Sequence, residues 1–290
     1  RKIKTITLGE NTGSLKILNH KYIKNKQKIK ISINSKVLYF ETKLLGYFQV
    51  KNLLMSVLAA ISSGINVDKI FKSLDKVKPV PGRLEPIVNF KNNSNIIVDF
   101  AHTPDALEHV LKTLKKQFNR SIILVFGCGG DRDKKKRFEM GLIAKKYCKK
   151  VFVTDDNPRN EDPKKIRKTI IKACKKIAVN IGDRKIAIKT AIEELNSDEI
   201  LLVAGKGHET TQDYGKKIIK FSDKKVIKKL INRNIYLSKK NYWPNYNSIS
   251  INSKTIKKGN LFFAIKGKKT DGHKFVKNAL KKGAIKCIVN

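Results

Sequence analysis

Ile122-Ile123-Leu124-Val125-Phe126-Gly127-Cys128-Gly129-Gly130-Asp131-Arg132-Asp133 decides the architecture. Its opening apolar run is too short for a helix and shows no polar alternation, so it reads as a strand buried on both faces, as in parallel sheets. The run ends in glycines, which let a backbone turn sharply and approach a ligand closely. The same order repeats on either side. Apolar runs fall at 96–100, 151–154 and 200–204, and helical periods at 104–118, 138–149, 163–175 and 184–195. Strand and helix alternating from Leu84 to about Asn232 predict an α/β fold built on a doubly wound, mostly parallel Rossmann-like sheet. Ligands of such sheets gather beyond the carboxyl ends of the strands, so the loops after Phe100, Phe126, Thr154 and Ala204 carry the functional reading.

Each of those loops holds chemistry. In the glycine turn after Phe126, Arg132 offers a planar fork to a carboxylate or phosphate; an ordinary strand-to-helix turn with surface charges reads equally well. After Thr154 comes Asp155-Asp156-Asn157-Pro158-Arg159-Asn160-Glu161-Asp162-Pro163. Its end is structural, Asp162 reading as a helix cap and Pro163 as a first-turn proline. Upstream, carboxylates, an amide and a guanidinium within five residues suit a zwitterion, of which an amino acid is the simplest. After Ala204 comes Gly205-Lys206-Gly207-His208-Glu209, and after Phe100 comes Ala101-His102-Thr103-Pro104-Asp105. His102 alone reads as well as a capping or packing residue as a ligand contact. No GxxxxGK[ST] phosphate loop occurs, and the five histidines form no metal-binding cluster.

The flanks differ. Before the sheet, short strands at 5–8, 28–33 and 36–42 precede helices at 47–63 and 67–74, and Pro79-Val80-Pro81-Gly82 breaks the chain at a hinge candidate. Composition bounds the rest. In 290 residues the net charge is +40, yet only nine of the 64 basic residues are arginine, and the lysines are spread over nearly every segment. Nucleic-acid readers favour arginine for bidentate contacts, so the excess reads as a solvated lysine coat rather than a specific nucleic-acid surface. No apolar stretch is long enough for a membrane span. The opening Arg1-Lys2-Ile3-Lys4 shows no secretory signal, and the four cysteines form no CxxC pair and read as reduced thiols of a cytoplasmic protein. The chain does not begin with Met, which suggests an internal piece of a longer one.

Taken in order and spacing, Asp99-Phe100-Ala101-His102-Thr103-Pro104-Asp105, Gly127-Cys128-Gly129-Gly130-Asp131-Arg132, Asp155-Asp156-Asn157-Pro158-Arg159 and Gly205-Lys206-Gly207-His208-Glu209 resemble the C-terminal domain of the Mur ligases, most of all the diaminopimelate-adding type. The resemblance runs from about Gly9 to Leu230. It implies ATP-dependent amide synthesis in peptidoglycan assembly. The carboxylate of a UDP-N-acetylmuramoyl dipeptide is activated as an acyl phosphate, which the amine of meso-2,6-diaminopimelate attacks. On the matching positions, Arg132, Asp156, Asn157, Arg159, Gly205 and Glu209 would hold diaminopimelate, and Asn52, Arg83, Asp99 and His102 would surround ATP. Arg83 at the hinge could couple nucleotide binding to domain closure. Gln49, Phe100 and Phe138 depart from the family's usual Asn, Tyr and Pro. The phosphate loop and the Mg2+ ligands are expected upstream of residue 1, so the chain alone is not expected to be active.

The same resemblance implies four segments. Residues 1–80 would be the end of a central ATPase domain and 81–233 a complete amino-acid-binding domain. Residues 234–249 would be a linker, and 250–290 the opening of a second Mur ligase N-terminal domain that recognises a UDP-linked substrate. Position after a complete C-terminal domain assigns that opening to the D-alanyl-D-alanine-adding type, although Asn252-Ser253-Lys254 replaces the usual Asp-Ser-Arg. The competing readings are a folylpolyglutamate-type ligase of the same superfamily and a basic nucleic-acid-binding module, the latter marked by steep salt dependence.

Overall fold

The computed structural model describes residues 5–23, 26–90, 92–232, 246–267 and 270–289. The basic opening at 1–4 and most of the expected linker, 234–245, lie outside the described residues. The first layer is a sheet of β1 (Leu8–Glu10), β2 (Leu15–Ile23), β3 (Lys26–Ile33) and β4 (Lys36–Thr42) in that order. Buried residues alternate along β3, so Ile29, Ile31 and Ile33 face one way. Asn34 and Ser35 join β3 to β4 at φ 47° and 61°, the two left-handed residues a tight hairpin turn requires. Helices α1 (Tyr47–Ser62) and α2 (Val67–Phe71) follow. Val50, Leu54, Val57 and Leu58 of α1 recur at helical spacing and close the core over the sheet. The strand expected at 5–8 lies at Leu8–Glu10 instead, and β2 was not foreseen. A bulge between Ile17 and Asn19 shifts the alternation of β2 midway, which hides its period.

The second unit holds β5 (Glu85–Asn89), β6 (Asn95–Asp99), α3 (Pro104–Phe118), β7 (Ser121–Phe126), α4 (Lys135–Tyr147), β8 (Lys150–Val153) and α5 (Pro163–Cys174). It continues through β9 (Ala178–Asn180), α6 (Arg184–Glu194), β10 (Glu199–Ala204), the hairpin β11 (Thr211–Asp213) and β12 (Ile218–Lys220), and α7 (Asp223–Asn232). The main sheet runs β5-β6-β10-β7-β8-β9, with only β5 antiparallel. The doubly wound, mostly parallel sheet expected from the sequence is therefore present. Ile122, Leu124 and Phe126 of β7 face α3, α4 and α5, while Ile123 and Val125 face α6 and α7. Chain direction explains this layering. Strands β7, β8 and β9 advance across the sheet and the chain then returns to insert β10, so right-handed crossovers put the return helix on the opposite face. Phe126 and Phe152 are fully buried on opposite faces, and truncating either to alanine would cost about 3–5 kcal/mol.

The last unit is a parallel sheet of β13 (Ile249–Ser250), β14 (Leu261–Ala264) and β15 (Lys286–Val289), with α8 (Val276–Lys281) beside it. Its small core centres on Phe262, Ala279 and Cys287.

Candidate functional site

The four loops singled out by sequence do converge at the carboxyl edge of the main sheet. Packing of the two longest is close. A Cβ at Gly130 would stand 1.9 Å from the Pro158 carbonyl oxygen, so the glycine loop can seat against the Asp155–Asp162 loop only without a side chain there. The two are stitched together by Gly130 N donating to Asn157 O at 2.9 Å. Arg137 adds two hydrogen bonds to Glu161, at 2.9 and 2.7 Å. Arg137 holds the Glu161 carboxyl well down, to about 2. Asp162 caps α5 by accepting from Lys164 N, with Pro163 in the first turn, as its sequence context predicted.

The expected amino-acid contacts are brought together. A side-chain carbon at Gly129 would lie 3.0 Å from Arg159 Nη1 and 4.0 Å from Arg132 Cγ, so both arginines flank one glycine loop. Arg132 is exposed and its Nη1 donates to Asp131 O. Arg159 sits at φ 50°, a left-handed conformation that costs a non-glycine residue about 1–2 kcal/mol. Its guanidinium donates to Gly130 O at 2.8 Å. The left-handed turn is fixed by Arg159 N donating to Asp213 O, part of a seam along β11. In that seam Asp213 N donates to Asn157 Oδ1, Gln212 Nε2 to Asp155 O, and Tyr214 Oη to Asp155 Oδ2.

The same cluster holds acidic groups. Glu209 Oε2 accepts from Asn157 Nδ2 at 3.1 Å and from Lys206 Nζ at 2.7 Å, and Lys206 also donates to Asn157 Oδ1 at 2.9 Å. Burial pushes the Glu209 carboxyl up, but the hydrogen bond and charge of Lys206 outweigh it and hold the group below its usual value. Asp156 is almost wholly buried, and burial raises its carboxyl while Arg184 and Lys206 pull the other way. Gly205, at φ 109°, passes beneath it; a Cβ there would meet Asp156 Oδ2 at 2.8 Å. Asp155, by contrast, is spent internally on Arg167 and Tyr214.

The residues expected around a nucleotide meet less completely. Arg83 and Asp99 line a cavity of about 390 Å³ between Phe48 of α1 and α3. The Arg83 guanidinium stacks 4.6 Å over the Phe100 ring and makes no ion pair among the described residues. The His102 ring packs on the same phenyl group and its Nδ1 bonds Phe100 O at 2.8 Å. Asp99 accepts Leu84 N and Ala101 N, both at 2.7 Å, so both carboxyl oxygens already bind backbone. Asn52 is exposed on α1 one turn beyond Phe48, with no contact tying it to the other three. Gly82, at φ 70°, lies where a Cβ would stand 2.3 Å from His208 N, so the hinge segment rests directly on the 205–209 loop.

Sequence reasoning missed Lys206 as a site member, together with Arg184, Asp223, Arg137 and the β11 seam. Lys206 stood inside a quoted loop; Arg184, Asp223 and Arg137 carry no local signal beyond being charged, and the β11 seam carries none. A roomier cavity of about 890 Å³ lies between α6, α7 and the β11–β12 hairpin. Its one lining acid is Asp183, whose carboxyl caps α6, and its other charged lining residues are cations, Arg184, Lys185, Lys220, Lys225 and Lys229. All four cysteines are buried free thiols. No helix among the described residues is long and apolar enough to cross a membrane.

Residues 82–207 match the family "Mur ligase, glutamate ligase domain", and residues 245–289 match "Mur ligase family, catalytic domain". A UDP-N-acetylmuramoyl-L-alanyl-D-glutamate–2,6-diaminopimelate ligase of Rickettsia montanensis is 45% identical over 232 residues, covering 79% of this chain and 47% of that relative. A solved structure of a ligase of the same name is 33% identical with a TM-score of 0.60, covering 79% of this chain and 47% of the other. A UDP-N-acetylmuramate–alanine ligase from Thermotoga maritima, 19% identical with a TM-score of 0.58 over 79% of this chain and 47% of its own, shares the fold. The chain spans about half the length of the curated relatives it matches. On its loops, its sheet and these likenesses, the chain belongs to the Mur ligase family.

Proposed function

We propose that this chain is the amino-acid-binding part of an ATP-dependent ligase that adds meso-2,6-diaminopimelate to UDP-N-acetylmuramoyl-L-alanyl-D-glutamate. The observation that carries the reading is that Arg132 and Arg159 flank Gly129 in the same loop cluster that holds buried Asp156 and the Asn157–Glu209 hydrogen bond. Diaminopimelate has an amino-acid head at each end. One head must donate its amine to the reaction; the other needs a cation for its carboxylate and an anion for its ammonium. Bidentate arginine contacts and a buried carboxylate supply that recognition, and L-lysine, lacking the second carboxylate, forgoes the arginine contacts. Holding the distal head fixes the reacting amine relative to the activated carboxyl group, the entropic share of the catalysis.

The activated carboxyl group would be an acyl phosphate formed from ATP. This chain fits part of a nucleotide. Arg83, free of ion pairs among the described residues, and the cavity beside it suit an anionic phosphate or the rest of the nucleotide. Among the described residues no group of three acidic, histidine or cysteine side chains could hold a metal ion, so no Mg2+ contact is assigned to them. Residues 250–290 would open a second, UDP-substrate-binding ligase domain, a reading supported by the match of residues 245–289 to a second Mur ligase family model.

Titration calorimetry of the chain with meso-diaminopimelate, L-lysine and L-glutamate tests the reading. Binding of diaminopimelate with at least about tenfold preference over both supports it. Equal affinity for L-lysine, or preference for glutamate as in a folylpolyglutamate-type ligase, overturns it.

A further inference from the structure

Arg184 opens α6, far in sequence from every loop quoted above, and its side chain is entirely buried. A guanidinium removed from water requires acceptors for its donors. Nε and Nη2 bond the two carboxyl oxygens of Asp223 at 2.8 and 2.9 Å, and Nη2 also bonds Ala204 O at 2.8 Å, the last residue of β10. Asp223, the first residue of α7, has no solvent exposure either. One nitrogen is left over. Arg184 Nη1 is buried without a hydrogen bond, and 3.8 Å away Asp156 Oδ2 is buried without one too. Two opposite charges therefore face each other across a contact that neither completes.

The charge balance around Asp156 is informative. The groups facing it are Arg184 from α6, Asp223 from α7, and Lys206 and Glu209 from the loop after β10, with the neutral Cys128 thiol from the loop after β7. Lys206 pairs with Glu209 and Arg184 with Asp223, which leaves Asp156 as the one carboxylate without a partner of its own. Its Oδ2 points inward at Arg184, and the 12% of its side chain open to solvent belongs to the rest of the group.

Resting on the amino-acid-binding reading above, we propose that Arg184, clamped by Asp223, is a positioning residue. It is the buried counter-charge that keeps Asp156 a carboxylate and fixes its orientation, so that the outer face can accept the ligand's ammonium. Arg184 does not touch the ligand. Because Asp223 already takes most of its charge, Arg184 supports Asp156 without saturating it, and the cluster becomes neutral only when an ammonium arrives.

Carboxyl titration of Asp156 by carbon-detected NMR tests this in the whole chain, with circular dichroism to verify folding. In Arg184→Gln the Asp156 midpoint rises by about one to three pH units, and Arg184→Lys restores most of it. In Asp223→Asn the midpoint falls, because Arg184 then has Asp156 as its one remaining ion-pair acid. General loosening of the loop would move both variants the same way, so opposite signs are the signature. An unmoved midpoint in folded Arg184→Gln, or equal signs in the two variants, overturns the proposal; if Arg184→Gln does not fold, the sign in Asp223→Asn decides. Calorimetry at pH 7 with meso-diaminopimelate should show at least about tenfold weaker binding in Arg184→Gln, narrowing as pH rises. If the unaltered chain binds no diaminopimelate, the functional reading falls while the titrations still judge Arg184.

Discussion

Lys206→Met removes the one ammonium that ties Asn157 to Glu209. Lys206 has no side-chain exposure, and it donates 2.7 Å to Glu209 Oε2 and 2.9 Å to Asn157 Oδ1. A hydrogen bond to a charged group contributes about 1.5–3 kcal/mol and a neutral one about 1 kcal/mol. Two effects reduce the loss. Glu209 keeps Asn157 Nδ2 and is 32% exposed, so water replaces part of what is lost, and Asn157 Oδ1 keeps Asp213 N. Methionine also avoids the desolvation of a buried charge. The expected net destabilisation is about 2 kcal/mol. Urea unfolding followed by circular dichroism would read it as a midpoint lowered by about 1 M, for a slope of about 2 kcal/mol/M. Diaminopimelate affinity should drop in parallel as Asn157 and Glu209 lose register. A change within about 0.5 kcal/mol, the range of ordinary surface substitutions, would refute the reasoning.

Gly205→Ala places a Cβ 2.8 Å from Asp156 Oδ2 at φ 109°; we expect a loss of about 1–3 kcal/mol and diaminopimelate binding weakened by about tenfold or more, read by thermal melts and calorimetry. The Glu161 carboxyl lies at about 2 when folded against an ordinary 4.5, so its contribution is complete above pH 4.5 and is lost as pH falls toward 2. Partial wetting limits that contribution to about 2 kcal/mol, and Glu161→Gln should flatten the stability profile across that window. Asp99→Asn turns an amide donor toward either Leu84 N or Ala101 N, strands a buried donor, and should cost about 1–3 kcal/mol in urea unfolding. Cys128 and Cys174 are buried with thiols pushed up to about 12, so iodoacetamide at pH 8 should label them only after denaturation.

The parallel strands were legible because each is a short apolar run with no alternation, the mark of burial on both faces. What escaped lacks that mark. Strand β2 changes phase at its bulge, β5 carries Pro86 at the sheet's antiparallel edge, and β9, β11 and β12 have three residues each. The site was legible where chemistry sits in a loop at a strand's carboxyl end, as in Asp156-Asn157-Pro158-Arg159. It was not legible where a charge acts through a partner distant in sequence. Arg184 stands in Arg184-Lys185-Ile186-Ala187-Ile188-Lys189, which looks like one more stretch of basic surface, and only the fold brings it to Asp223 and Asp156. Asp99 shows the converse: a carboxylate in a suggestive motif whose oxygens hold the backbone of the hinge, where Leu84 adopts φ 43°.

The central claim is that the loop cluster, rather than the roomier cavity near Tyr214 and Phe221, receives a diaminopimelate head. A crystal structure of the chain with meso-diaminopimelate tests it most directly. The account predicts one ammonium on Asp156 or Glu209 and the adjoining carboxylate on Arg132 or Arg159. Ligand density in the cavity between α6 and α7, or none in the loop cluster at saturating concentration, would contradict it.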